Sequence, residues 1–305
     1  MINDYVIKLI ENLPPNIKDT KKYETLDLVL DSGAFNGSYL VGGLYFLQEM
    51  ERLKYIKINR ISGCSIGSIV GFLYYIDRLD FMSTFYKIVA EDFKKTRNLK
   101  IITEIKEHLK DHIPEDVCLR VNNKLFITYN NITNGKKRIK STYRDVDDIF
   151  DSIIKSCYIP FLIDGNMLYK NKYIDGITPY IFETTESDKI LYFDLYGYDK
   201  FRHVFNIKNE KTNCHRILAG LLDIHCFFIK QSSTQMCSYV NDWNIINKGV
   251  VYFKGIFERI AVYLIFWLDF VRNQTTPEFN NTIYYKLSSK IFQDILALLL
   301  DEFCL

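Results

Sequence analysis

Proline and glycine are scarce in this chain of 305 residues, at 6 and 14. That scarcity excludes a collagen-like or linker-dominated polypeptide and makes any cluster of glycines informative. Charge of one sign is missing too: 39 basic against 37 acidic residues leave a net of +2, too little to mark nucleic acid or a strongly anionic partner. No apolar run is long enough to cross a bilayer. The best candidate, Ile260 to Leu268, is bounded by Glu258, Arg259 and Asp269 and reads as a buried or interfacial helix. The seven cysteines are scattered, odd in number and without a Cys-x-x-Cys pair, which argues against a disulfide framework or a zinc site and for a reducing, cytoplasmic setting. The N-terminus lacks a basic start followed by a sustained apolar stretch, so no signal peptide is expected.

What the chain does contain is an alternation of short apolar runs, small-residue loops and helical periodicity. After a lead-in broken at Pro14-Pro15, Leu26 to Leu30 reads as a buried strand that stops at the turn-rich DSGAFNG, and Ser38 to Leu53 has helical spacing. The unit repeats: Ile58 to Ile61 as strand, GCSIG as turn, Ile66 to Ile76 as helix. Two such units in succession predict a parallel sheet covered by helices. Further strands are expected at Lys124 to Tyr129 and Lys189 to Tyr196, with hairpins at Asn134-Gly135 and in MLYKNKYID. Val146 to Cys157 is the cleanest amphipathic helix. Beyond Phe201 the periodicity is helical, at Cys214 to Lys230, Gly255 to Arg272 and Ile283 to Leu300. The apolar segments ILAGLLDIHCFFI and IAVYLIFWLDF read first as core helices, with a lipid-docking face as the second reading.

The glycines cluster where chemistry is expected. Gly63-Cys64-Ser65-Ile66-Gly67 follows a strand and opens a helix, the arrangement of a nucleophile elbow, in which a strained turn exposes the serine hydroxyl beside helix N-terminal amides. Flanking glycines remove side chains that would collide with neighbouring backbone. Upstream, Ser32-Gly33-Ala34-Phe35-Asn36-Gly37 forms a second small-residue loop whose amides at Gly33 and Ala34 are candidates to receive an oxyanion. Downstream, Tyr173-Ile174-Asp175-Gly176 places a carboxylate at the end of an apolar strand, either a turn-former or a base. Cys64 reads as a small apolar filler beneath the elbow. His108 and His112 lie four apart, but without a third ligand they read as surface residues.

Taken in order, these pieces resemble the patatin-like phospholipase family, and SIIKSCYIPFLIDGNMLYKNKYIDG is similar to the corresponding block of the branch that includes adipose triglyceride lipase. The resemblance covers roughly Leu26 to Leu195. It implies a three-layer α/β/α fold with a mainly parallel sheet over 25–200, preceded by a lead-in (1–24) and followed by a helical extension (201–305). It further implies Ser65 as nucleophile, Asp175 as its partner in a dyad, and Gly33 and Ala34 as the oxyanion hole. No cofactor and no metal are expected. The implied partner is lipid, phospholipid or acylglycerol, at a membrane or lipid-droplet surface. The chain departs from the family pattern at Ser32 and Ala34, which replace glycines, at Asn36, which replaces a basic residue, and at Ile177, where Gly or Ala usually follows Asp-Gly. Ala34 must therefore adopt whatever backbone the loop requires. Two other readings stay open: a Ser-Asp-His triad completed by His203, His215 or His225, and a patatin-like scaffold that binds lipid or protein without turnover.

Overall fold

Leu26 to Leu30 forms the centre of the molecule in the computed structural model, which describes residues 2–20, 23–183, 189–197, 200, 203–208, 210–274 and, in part, 290–302. Strand β1 (Glu24–Leu30) is buried along its last five residues. Leu26, Leu28 and Leu30 are buried on one face and Val29 on the other, as befits a central parallel strand, and the one buried charge, Asp27, pairs with Arg60. Helix α1 (Ile2–Glu11) precedes it; a short 3₁₀ turn and helix α2 (Gly37–Arg52) follow it. Strand β2 (Ile56–Cys64) leads into α3 (Ile66–Tyr75), the second strand-turn-helix unit. Helices α4 (Phe81–Thr96), α5 (Ile105–Leu109) and α6 (Val117–Val121) fill the crossover to β3 (Leu125–Asn131), which turns back through β4 (Lys136–Lys140). Helix α7 (Val146–Ser156) is capped by Asp145, whose carboxylate accepts from the Asp148 amide at 2.8 Å. The two-residue β5 (Tyr173–Ile174) and then β6 (Lys189–Phe193), α8 (Cys214–Lys230), β7 (Cys237–Tyr239) and α9 (Ile245–Gln274) complete the order.

The sheet runs β4-β3-β2-β1-β6-β7, with β5 joining β3 off this path. Its four inner strands are parallel; β4, β5 and β7 are antiparallel additions at its margins. Alternation along the strands sorts the core into two layers. Leu26, Leu28, Leu30, Leu191, Phe193, Leu125 and Ile127 face the larger one, built with α2, α3, α7 and α8. Val29, Ile190, Tyr192 and Phe126 face the other, covered by Tyr180 to Phe182, Val240 and Trp243. On this thinner side Lys254 of α9 bonds to Asp31 at the end of β1, and Val262 of α9 packs with Ile132 and Ile174. Helix–sheet–helix layering with a mainly parallel sheet is thus the architecture the spacing predicts.

Helices α2 and α8 approach most closely through two glycines. A Cβ at Gly42 would lie 1.9 Å from the Ile217 carbonyl, and one at Gly220 would lie 2.0 Å from that of Tyr39. The segment ILAGLLDIHCFFI is accordingly a core helix, with Ile217, Leu221, Ile224, Phe227 and Phe228 buried. The expectation for IAVYLIFWLDF needs correction. Of that stretch only Val262 is buried, while Tyr263, Leu264 and Trp267 are 60–68% exposed. Apolar periodicity cannot distinguish a face turned to the core from one turned outward. The helix read at Gly255 to Arg272 starts ten residues earlier, and the first part of the one read at Ile283 to Leu300 lies outside the described residues. MLYKNKYID makes a single Tyr169–Tyr173 bridge, and Tyr173-Ile174 pairs with β3.

Candidate active site

The register of β3 brings the two sequence-distant motifs together. Strand β2 pairs with β3 up to Cys64↔Thr128, and β5 takes up that edge two residues later at Asn130↔Ile174. Ser65 follows Cys64 and Asp175 follows Ile174, so both emerge at the carboxyl end of the sheet beside one another. Asp175 is 8% exposed, and the Ser65 side chain lies close enough to act on its carboxyl group. Burial dominates that carboxyl and pushes its pKa up to about 7; the Ser65 side chain and the bond from the Ile177 amide pull against the rise, and the nearby Glu258 adds to it.

Ser65 sits at φ 49°, ψ −127°, a strained conformation for a residue with a side chain, at the first turn of α3. Its amide donates to Ser156 Oγ at 2.8 Å, and that hydroxyl donates to the Thr128 carbonyl at 2.6 Å, so the end of α7 holds the elbow. The flanking glycines are required by space: a Cβ at Gly63 would lie 2.5 Å from the Gly67 carbonyl, and one at Gly67 would lie 2.6 Å from that of Leu30. Gly176 is pressed in the same way against the Thr128 carbonyl, 2.1 Å from where its Cβ would be. Ile66, first residue of α3, packs onto Gly37, where a Cβ would lie 2.1 Å from its side chain. Cys64 is fully buried, and burial holds its thiol well above the usual range, as expected of a filler and not of a thiolate nucleophile.

The upstream loop converges on the same point. Ala34 has φ 45°, the backbone that glycine adopts freely and alanine accepts at a cost. Gly33 cannot carry a side chain, since a Cβ would meet Leu195 at 2.9 Å. Among the described residues the amides of Gly33 and Ala34 donate to no protein acceptor, whereas the Phe35 amide donates to the Val204 carbonyl at 3.0 Å and that of Asn36 to the Gly33 carbonyl at 2.8 Å. Ile177, the unusual residue after Asp-Gly, supplies a link through its backbone: its carbonyl accepts from Ser32 Oγ at 2.7 Å and from Cys64 Sγ at 3.6 Å, and its amide donates to Asp175 Oδ1 at 3.1 Å. All three motifs are thereby tied to the backbone of one residue.

Asn36, in place of the basic residue, points away from the serine. Its amide nitrogen donates to the Leu195 and Lys200 carbonyls, and its oxygen accepts from Arg216 Nη1 at 2.6 Å. Arg216 is fully buried and also pairs with Glu210 at 2.7 Å. Sequence reading missed this arginine, as it missed Ser156, Asp31, Lys254 and Glu258. Ser156 stood within the block quoted for the family resemblance, Asp31 at the head of DSGAFNG and Glu258 at the edge of an apolar run, but none of them was singled out.

Ser65 opens onto a narrow apolar cleft lined by Ala34, Phe35, Ile66, Ile69, Met82, Phe85, Tyr86, Val89, Leu99, Ile102, Cys157 and Ile159. Such walls suit an acyl chain. Among the described residues no hydrogen bond joins a histidine to Ser65 or Asp175: His215 is exposed and pairs with Glu210 at 3.3 Å, and His225 packs on Phe46. The described residues hold no group of three or more metal-ligating side chains, and none of their helices is long and apolar enough to cross a membrane.

The amino-acid sequence is similar to known proteins. Omega-hydroxyceramide transacylase of Mus musculus is 22% identical over 262 residues, a match covering 75% of this chain and 44% of the mouse protein. The chain thus spans less than half the length of that relative. Residues 28–178, from the middle of β1 to just beyond Asp175, match the patatin-like phospholipase family, whose general chemistry is lipid acyl hydrolysis or acyl transfer.

Proposed function

We propose that the protein is a lipid acyl hydrolase that works through a Ser65–Asp175 dyad and an acyl-serine intermediate. The observation that carries this reading is the convergence at one point of a strained serine, a buried carboxyl group beside it and two acceptor-free amides, all next to an apolar cleft. Attack of Ser65 Oγ on the ester carbonyl carbon passes the hydroxyl proton to Asp175 as the C–O bond forms, because a carboxylate is too weak to deprotonate serine beforehand. The Gly33 and Ala34 amides receive the oxyanion. Collapse breaks the bond to the leaving alkoxide, which takes the proton from Asp175. Water then attacks the acyl-serine, gives its proton to Asp175, and the second collapse returns that proton to Ser65 Oγ with release of fatty acid.

A carboxyl with a pKa near 7 suits this alternation, being a stronger base than a surface carboxylate and still half ionised at neutral pH. Phospholipid or acylglycerol is the substrate class, met at a lipid surface by the exposed apolar side of α9. Transfer of the acyl group to an alcohol in place of water is the second reading, favoured by the name of the mouse relative. Mass spectrometry of products from phospholipid and triacylglycerol, with and without an added acceptor alcohol, tests both. Fatty acid release by wild type and not by Ser65→Ala supports hydrolysis; an acylated alcohol as main product supports transfer; equal products from both proteins contradict the dyad.

A further inference from the structure

Lys254, Glu258, Val262 and Ile265 are spaced four, four and three residues apart and so lie on one side of α9. Val262 and Ile265 join the small apolar cluster of Ile132 and Ile174. The two charged residues of the stripe instead enter the carboxyl end of the sheet on either side of the dyad.

Lys254 Nζ donates to Asp31 Oδ2 at 2.9 Å and to Asp194 Oδ1 at 3.1 Å. Asp31 is fully buried and also accepts from the Ser32 amide at 2.9 Å and the Tyr192 hydroxyl at 2.7 Å, so its carboxylate fixes the root of the 32–34 loop. Glu258 is 5% exposed. Its Oε1 accepts at 2.8 Å from Asn130 Nδ2, the nitrogen that also donates to the Asp175 carbonyl at 2.9 Å. Its Oε2 accepts from Lys137 Nζ at 3.1 Å and from the Thr178 hydroxyl. One carboxylate therefore grips the peptide of Asp175 from below and the turn beyond Ile177 from above. Buried ion pairs add little stability over apolar packing of equal volume, so anchoring the helix does not by itself account for two charges at these places.

We propose that Glu258 and Lys254 are positioning residues of the Ser65–Asp175 dyad, Glu258 acting through the 174–178 turn and Lys254 through Asp31 and the 32–34 loop. This rests on Ser65 and Asp175 being the reacting pair. The ionisable groups acting on or acted on by Asp175 come from several elements: Cys64 at the end of β2, Cys157 after α7, Tyr196 after β6 and Glu258 on α9, with Lys137 of β4 facing Glu258. Among them Glu258 opposes ionisation of Asp175 by like charge, so neutralising it eases that ionisation.

The test uses the full chain with p-nitrophenyl butyrate over about pH 5 to 9, as wild type, Ser65→Ala, Glu258→Gln, Lys254→Met, Lys254→Arg and Val262→Ala, each also melted by circular dichroism. Val262→Ala, which loosens the same helix face without touching a charge, lowers the melting temperature and leaves the acid limb in place. Glu258→Gln moves the midpoint of that limb down by about half a pH unit or more. Lys254→Met lowers kcat by about tenfold with little change in KM, the loss expected when oxyanion donors are misplaced, and Lys254→Arg recovers most of it. If Glu258→Gln does not fold, Lys137→Met serves in its place: Glu258 is left uncompensated and the limb moves up. An acid limb that stays put in Glu258→Gln (or in Lys137→Met where it stands in), a kcat that Lys254→Met leaves unchanged, or a limb that moves equally in Val262→Ala overturns the proposal. Wild-type turnover equal to that of Ser65→Ala overturns instead the assignment on which it rests.

Discussion

Asp175 is the residue on which the proposed chemistry turns, and its burial has two measurable consequences. Activity should rise with pH through about 7, because the base must be ionised to accept the serine proton. Stability should move the other way. A carboxyl whose folded pKa is about 7, against 3.8 unfolded, binds its proton more tightly in the folded state. Its contribution is fully present below the unfolded value and is lost as pH rises to about 7, a loss of about 4 kcal/mol by linkage. Asp175→Asn, which has no charge to bury, should therefore be inactive yet melt higher than wild type at pH 8, with the difference closing toward pH 4; thermal melts at several pH values read this directly. Ala34→Gly should also stabilise slightly, by about 1 kcal/mol, by relieving a left-handed alanine. Ser65, Asp175 and the Gly33-Ala34 loop were legible in the sequence because each lies within a short run of special backbone. Glu258, Lys254 and Arg216 were not, since their partners lie 60 to 223 residues away for the first two and 180 residues away for the Arg216–Asn36 bond. No local pattern encodes such a meeting.

Among the elements, those with a strong period or a buried parallel strand were read closely: β1, α2, α3, α7 and α8 fall within a few residues of expectation. Strand β7 has three residues and α4 follows a stretch without turn signals, so neither stood out. The contact between α2 and α8 was invisible for another reason: a glycine inside a helix signals weakness locally, and only the facing helix shows its use. Gly42→Val should force these helices apart and cost about 3 kcal/mol or more, read as a fall in urea midpoint. Gly249→Ala, with open space around it in α9, should stabilise slightly.

At the scale of the whole molecule, the unusual feature is the outer side of α9, where Phe253, Phe257, Tyr263 and Trp267 are 66–70% exposed. Isolated apolar residues on a surface need no explanation, but a continuous face along a 30-residue helix does. If that face meets lipid, Phe253→Ser combined with Trp267→Ser should abolish co-flotation with phosphatidylcholine vesicles while leaving hydrolysis of a soluble short-chain ester within about twofold. Loss of a dimer in solution by the same variant, with flotation unchanged, would assign the face to a second copy instead. The inner side of the helix reaches Asp31 and Asn130, so the exposed apolar face and the contacts to the candidate site share one element.

The central claim is that Ser65 and Asp175 act as one reacting pair. Its most direct test is covalent labelling by a fluorophosphonate at neutral pH, located by peptide mass spectrometry in wild type and in Asp175→Asn. The account predicts a single phosphonylated peptide at Ser65 in wild type and labelling at least about a hundredfold slower in the variant. Labelling at equal rates in the two proteins, or none at Ser65 in folded wild-type protein, would contradict it.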